Sequence, residues 1–176
     1  MADQQGAPSD MADFDLTICG LDELRAHVHA PVTHVLSILD PQTPVPREFE
    51  RYAALRRHWV LRFHDVSAPI GDAQAPEQAD VEQILAFAAE LQEGVGDAHL
   101  LVHCHAGVSR STAAAAILLA QRNPGREAEA FGYVARLRPG AWPNRRMVEI
   151  ADRLMHREGR LIEGLRAMRG DRPGLF

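Results

Sequence analysis

The chain has no lysine: all 19 basic residues are arginine. It has two cysteines, few aromatics (6%) and no run of 18 apolar residues. Each shortage excludes something. Cys19 and Cys104 cannot build a disulfide framework, so a reducing compartment, the cytoplasm, is expected. Without a long apolar run, no membrane-spanning helix is expected. Met1 to Asp13 is polar and acidic, without the basic and apolar regions of a secretory signal. The net charge of −5 and a pI near 6.0 argue against a nucleic-acid binder that works through a basic surface. The arginine bias, with abundant Ala and Gly, suggests a GC-rich bacterial source. Arginine also suits forked recognition of phosphate better than lysine does.

What remains is ordinary globular composition. Of 176 residues, 46% are hydrophobic and 24% charged, enough for one domain with its own core. Residues 1–13 are expected as a mobile tail, 14–169 as the folded domain and 170–176 as a loose end. Short apolar segments then alternate with helical patterns. Strands are predicted at Phe14–Gly20, Thr33–Asp40, His58–His64 and His99–His103. Short helices are predicted at Leu21–Ala30 and Pro46–Arg57. Asp65–Ala75 reads as a loop, punctuated by Pro69 and Gly71. Pro76 opens a helix whose apolar residues Val81, Ile84, Leu85, Ala88 and Leu91 recur at helical spacing. Gly94–Asp97 stops it. Further helices are predicted at Arg110–Gln121 and Glu127–Leu137. Pro143–Met168 reads as one long helix, or as two that part near Gly159 or Gly164. This alternation predicts a single α/β layered domain. Its sheet is expected to have four or five mostly parallel strands, with helices on both faces. Sites in such folds lie beyond the carboxyl ends of the strands.

Just past the fourth predicted strand the chain reads His103-Cys104-His105-Ala106-Gly107-Val108-Ser109-Arg110-Ser111-Thr112. A buried strand runs into a short loop and then a helix start, which is the layout of an anion cradle. Successive backbone N–H groups point inward, and the helix N-terminus adds its positive end. Arg110 can grip two oxygens with its planar fork. Cys104 stands where a thiolate could attack whatever the cradle holds.

The H-C-x5-R-S string resembles the active-site signature of the cysteine-dependent protein tyrosine phosphatases. HCHAGVSRST is most similar to the dual-specificity branch, especially its small bacterial members. Arg138-Pro139-x-x-x-Pro143-Asn144 resembles a second segment of that branch. The resemblance spans Phe14 to about Met155, and it implies a dual-specificity-like fold and phosphomonoester hydrolysis without metal or cofactor. It assigns Cys104 as nucleophile and Arg110 as phosphate binder and transition-state stabiliser. The backbone amides of His105, Ala106, Gly107, Val108, Ser109 and Arg110 would complete the cradle. Ser111 would support departure of the Cys104 thiolate, and His103 would support the thiolate locally. Asn144 would brace the catalytic loop. The general acid would be an aspartate after the preceding strand. Asp65 stands at that strand's end and is preferred. Asp72, 32 residues before Cys104 against 39 for Asp65, fits the spacing better but lies mid-loop.

The implied substrate is a phosphorylated protein or a small phosphomonoester. No tyrosine-rich loop deepens the pocket, so phosphoserine and phosphothreonine stay open beside phosphotyrosine. His105, Ala106, Val108 and Ser109 include no lysine, which disfavours inositol lipids, while the His105 ring keeps small polyphosphorylated substrates open. Two other functions compete: a rhodanese-like sulfurtransferase, and a phosphate-reading binding module. The pair Arg110-Ser111 and the upstream aspartates favour hydrolysis over sulfur transfer. Cys104 and Arg110 together favour an enzyme over a binding module. Cys19 reads as a small buried hydrophobe, with a resolving role for oxidised Cys104 as its alternative. His103-Cys104-His105 is not read as a metal site, because neighbours on a strand alternate faces.

Overall fold

The structure is a computed structural model that describes residues 10–93 and 98–170. Four strands are present: β1 Asp15–Cys19, β2 His34–Leu39, β3 Arg57–Arg62 and β4 His99–His103. They form one all-parallel sheet in the order β1-β4-β2-β3. β2 and β4 are central, and every residue of β2 is buried. Continuous apolar runs are what a strand covered on both faces requires.

The two faces are covered differently. Leu36 and Ile38 of β2, with Leu100 and Val102 of β4, point into a large core with the five α-helices. These are α1 Gln78–Glu93, α2 Arg110–Arg122, α3 Glu127–Leu137, α4 Arg145–Leu154 and α5 Arg160–Arg169. Their neighbours in the strands, Val35 and Leu101, point the other way, as strand alternation demands. There they meet a smaller core with Leu24, Val28, Val32, Phe49 and Tyr52. Two 3-10 helices, Leu21–His27 and Arg47–Arg51, cover that face where short helices were expected. The Tyr52 hydroxyl donates to the Leu24 carbonyl at 2.7 Å and ties the two segments together.

α2 is the hub of the helical layer. Residues Arg110 to Ala120 are all buried. Its run of alanines is thin enough for neighbouring helices to close in on several sides. The predicted segment 143–168 is two helices. Its break falls at His156–Gly159, where His156, Glu158 and Gly159 all have positive φ. The buried Asp152 carboxylate fixes the restart of the chain by accepting from the Gly159 and Leu161 amides at 2.7 and 2.9 Å. Gly164 lies inside α5. A Cβ there would sit 2.8 Å from the Phe131 ring, so the glycine serves close packing on α3.

The chain ends differ from expectation in one respect. Residues 10–13, read above as part of the tail, lie on the domain: Met11 is buried, and Asp10 and Asp13 form ion pairs with Arg126 and Arg122. Residues 1–9, the predicted helix stop at 94–97, and 171–176 lie outside the described residues. Among the described residues, no helix is long and apolar enough to cross a membrane.

Candidate active site

All four strands deliver their carboxyl ends to one place: Cys19-Gly20 from β1, Asp40 after β2, Phe63 to Asp65 after β3, and Cys104 after β4. The loop from His105 to Ser109 crosses this edge and enters α2 at Arg110.

The loop is held by its carbonyls. The His105 carbonyl accepts from Leu21 N–H at 2.8 Å. Arg138 donates from Nη2 to Ala106 O at 3.1 Å and from Nε to Gly107 O at 3.0 Å. Val108 O accepts from Trp142 N–H at 2.8 Å, and Ser109 O from Asn144 N–H at 3.2 Å. Five consecutive carbonyls thus face outward onto protein donors. Amides alternate with carbonyls along a chain, so this arrangement turns the loop's N–H groups toward the interior of the ring, where they can receive an anion.

Two glycines permit the close approach. Gly107 has φ +69°, and a Cβ there would lie 2.4 Å from the Cys19 carbonyl carbon. A Cβ on Gly20 would lie 2.8 Å from the His105 carbonyl oxygen. Arg138 is itself held: its Nη1 and Nη2 donate to the Glu23 carboxylate at 2.6 and 2.7 Å. Glu23 also accepts from the Gly20 amide at 2.6 Å, and the guanidinium beside it holds its carboxyl below the usual glutamate range.

Inside the ring the Cys104 sulfur lies 3.2 Å from Ser111 Oγ, on the first turn of α2. Arg110 is 3% exposed. Its Nη1 is spent on protein, donating to Asp40 Oδ1 at 2.6 Å and to the Phe63 carbonyl at 2.7 Å. Its Nε is buried with no partner among the described residues. One end of the guanidinium is therefore anchored, and the other edge keeps donors for a ligand. Buried donors normally find partners, so this orphan marks where an anion belongs.

Asp65 lies against the same loop. Its Oδ1 accepts from Ser109 Oγ at 2.7 Å and from Asn144 Nδ2 at 2.9 Å. Asp72 is exposed on the outer turn of the same segment, beyond Ile70. The structure thus brings together Cys104, His105 to Ser109, Arg110, Ser111 and Asp65, whereas no hydrogen bond or ion pair joins Asp72 to them. Asn144 caps α4 through its side chain and holds both the loop and Asp65.

Below the thiol, His103 Nδ1–H donates to the Cys104 carbonyl at 3.2 Å. Its Nε2 accepts from the Ser37 hydroxyl at 2.5 Å, and that oxygen accepts from His58 Nε2–H at 2.8 Å. This chain of donors needs a neutral His103, and burial pushes its pKa down to about 4. His103 therefore braces the backbone at Cys104 without bringing charge. Cys19 is 1% exposed, and burial pushes its thiol up to about 12. Among the described residues, no cluster of three or more His, Cys, Asp or Glu could hold a metal ion.

Three contributors escaped the sequence reading. Asp40 carried a usable signal, since it ends an apolar strand on the edge where sites form. Glu23 and Ser37 carried none, because their partners lie 115 and 66 residues away in the chain.

The model of the protein-tyrosine-phosphatase-like phytase family, described by inositol hexakisphosphate, matches residues 31–119. No curated protein matches significantly. Among solved structures, the Yvh1 phosphatase domain from Chaetomium thermophilum aligns with a TM-score of 0.63 at 21% identity, covering 89% of this chain and 96% of that one. Human DUSP28 aligns with a TM-score of 0.57 at 21% identity, covering 92% and 97%. PTPMT1 in complex with PI(5)P aligns with a TM-score of 0.60 at 20% identity, covering 84% and 93%. At these identities the structural likeness shows the fold. The family match covers half of the chain, including the whole Cys104–Arg110 loop. This chain belongs to the protein-tyrosine-phosphatase-like phytase family of cysteine-dependent phosphatases.

Proposed function

We propose that this protein hydrolyses phosphomonoesters through a phosphocysteine on Cys104, with phosphorylated proteins as its main substrates. One observation carries the reading: a thiol at the floor of a ring whose carbonyls all face outward, beside an arginine whose buried Nε has no partner among the described residues.

The chemistry runs in two steps. The phosphoryl group sits on the amides of His105 to Arg110 and on the free edge of the Arg110 fork. The Cys104 thiolate attacks phosphorus. The S–P bond forms as the bond to the leaving oxygen breaks, and Asp65 gives that oxygen its proton. Water then attacks the phosphocysteine and yields a proton to Asp65. The S–P bond breaks, inorganic phosphate leaves, and the Ser111 hydroxyl receives the returning thiolate. Charge developing on the equatorial oxygens is met by donors already in place. Asp40 and the Phe63 carbonyl fix the rotation of Arg110, so its fork costs little to organise when substrate binds.

A second substrate class, inositol polyphosphates, is favoured by the family match. Against it stands the cradle, whose side chains Ala106, Val108 and Ser109 offer no charge to extra phosphates. The test is to quench turnover in acid and find one phosphoryl group on the Cys104 peptide by mass spectrometry. Phosphate release is then compared between a phosphotyrosine peptide and inositol hexakisphosphate. The reading expects the phosphocysteine and a higher kcat/KM for the peptide. Faster release from inositol hexakisphosphate would transfer the assignment to the second class.

A further inference from the structure

We propose that Ser109 and Asn144 are positioning residues that latch the acid loop onto the phosphate cradle, so that Asp65 stands in its working place before substrate arrives. This rests on the reading of Asp65 as the general acid.

The latch is built from groups with no spare freedom. Asn144 is 4% exposed, and all its polar groups are engaged. Its Oδ1 accepts from Met147 N–H at 3.2 Å and caps α4. Its backbone N–H donates to Ser109 O at 3.2 Å. Its Nδ2 donates to Asp65 Oδ1 at 2.9 Å and to Val66 O at 3.3 Å. One side chain therefore joins a helix start, the cradle and the acid loop. Ser109 adds a second link from the cradle itself through its hydroxyl, at 2.7 Å from Asp65 Oδ1. The base of the loop is closed as well. His64 N–H donates to Gln74 O at 2.7 Å, and Gln74 N–H donates to the His64 ring at 3.0 Å. Arg146 holds Pro76 O at 2.7 Å.

Both donors converge on one carboxylate oxygen. Oδ1 accepts twice, and Oδ2 accepts from no described residue. This leaves Oδ2 as the oxygen free to face a leaving group and to carry the proton that the acid gives up. The loop has no closing movement to make at Asp65. The grip of the cradle on phosphate and the position of the acid are linked through one residue, Ser109.

The experiment compares phenyl phosphate, a poor leaving group that needs protonation, with p-nitrophenyl phosphate, which needs it far less. The intact chain is used as wild type, Asp65→Asn, Ser109→Ala, Ser109→Thr and Asn144→Ser; serine keeps a cap acceptor for α4 but loses the amide donor. Inhibition by vanadate measures the cradle independently. The expected result is that Ser109→Ala and Asn144→Ser each lower kcat for phenyl phosphate about tenfold more than for p-nitrophenyl phosphate, on the scale of one charge-assisted hydrogen bond. Ser109→Thr should restore the ratio. In the Asp65→Asn background, Ser109→Ala should not change the ratio further. If Asp65→Asn is selective against phenyl phosphate while Ser109→Ala and Asn144→Ser slow both substrates equally, the latch is overturned and the acid stands. If Asp65→Asn slows both substrates equally, the acid reading fails and takes the latch with it.

Discussion

Replacing Gly107 with alanine would place a methyl group where the Cys19 backbone already stands. The new Cβ would lie 2.4 Å from the Cys19 carbonyl carbon and 2.6 Å from the Gly20 nitrogen, against ordinary contacts of 3.4–4 Å. Both neighbours are backbone, so no side chain can swing aside, and the loop must move by about 1 Å. The residue must also keep a left-handed conformation at φ +69°, which costs a non-glycine residue about 1–3 kcal/mol. For a chain of this length about 1 kcal/mol corresponds to ~2–4 °C in Tm, so a fall of about 2–12 °C is expected. The kinetic effect should exceed the thermal one. A displacement of about 1 Å at a reacting centre costs about 100-fold in rate. The assay is calorimetry of the variant beside kcat/KM on p-nitrophenyl phosphate at a temperature where both proteins are folded. Wild-type turnover in a folded Gly107→Ala protein would refute the argument that the carbonyl-out ring depends on this close approach.

Four other outcomes follow from the site. Arg110→Lys keeps charge but loses the fork, and kcat/KM should fall at least about 100-fold; a mild loss would show that a point charge suffices. Asp72→Ala should leave the ratio of phenyl phosphate to p-nitrophenyl phosphate turnover unchanged, and a selective loss there would move the acid from Asp65 to Asp72. Burial depresses the pKa of His103 from the ordinary 6.5 to about 4, so the unfolded chain binds a proton in that window and the folded chain does not. Stability should be full above about pH 6.5 and fall by about 3 kcal/mol as pH drops toward 4, and Tm against pH should flatten in His103→Gln. The Glu23 carboxyl is held below the usual range by Arg138, so its contribution is present above the ordinary glutamate pKa and is lost as pH falls through the depressed value. Thermal unfolding of wild type and Glu23→Gln should therefore converge in strong acid and diverge toward neutrality; parallel curves would remove the ion pair from the account.

The sequence was most legible where periodicity and punctuation agreed. His99–His103 reads as a strand and is one, buried from Leu100 to His103, because nothing competes with the apolar run Leu100–Val102 before a loop. Glu127–Leu137 is bounded by Pro-Gly pairs that stop a helix on both sides. The segments at Leu21 and Arg47 were harder. Each is a single helical stretch too short to be stabilised by its own hydrogen bonds, so contacts with the second core hold it in the 3-10 form. The break after α4 was expected near Gly159 or Gly164; it falls at the first because Asp152 accepts from amides seven and nine residues ahead, a contact that periodicity alone does not show. The spacing of Cys104, Arg110 and Ser111 was legible because strand, loop and helix start bring them together locally. Arg138 was legible through its own motif, but Glu23 and Ser37 were not, since their partners Arg138 and His103 lie 115 and 66 residues away and meet them only in the folded chain.

The most direct test of the central claim is hydrolysis of p-nitrophenyl phosphate by wild type and Cys104→Ser side by side, with a metal chelator present, from pH 5 to 8. The account predicts turnover by wild type in chelator and none above background in the variant, which should still bind vanadate. Equal turnover by the two proteins, or a wild type that binds vanadate without ever releasing phosphate from an ester, would contradict it.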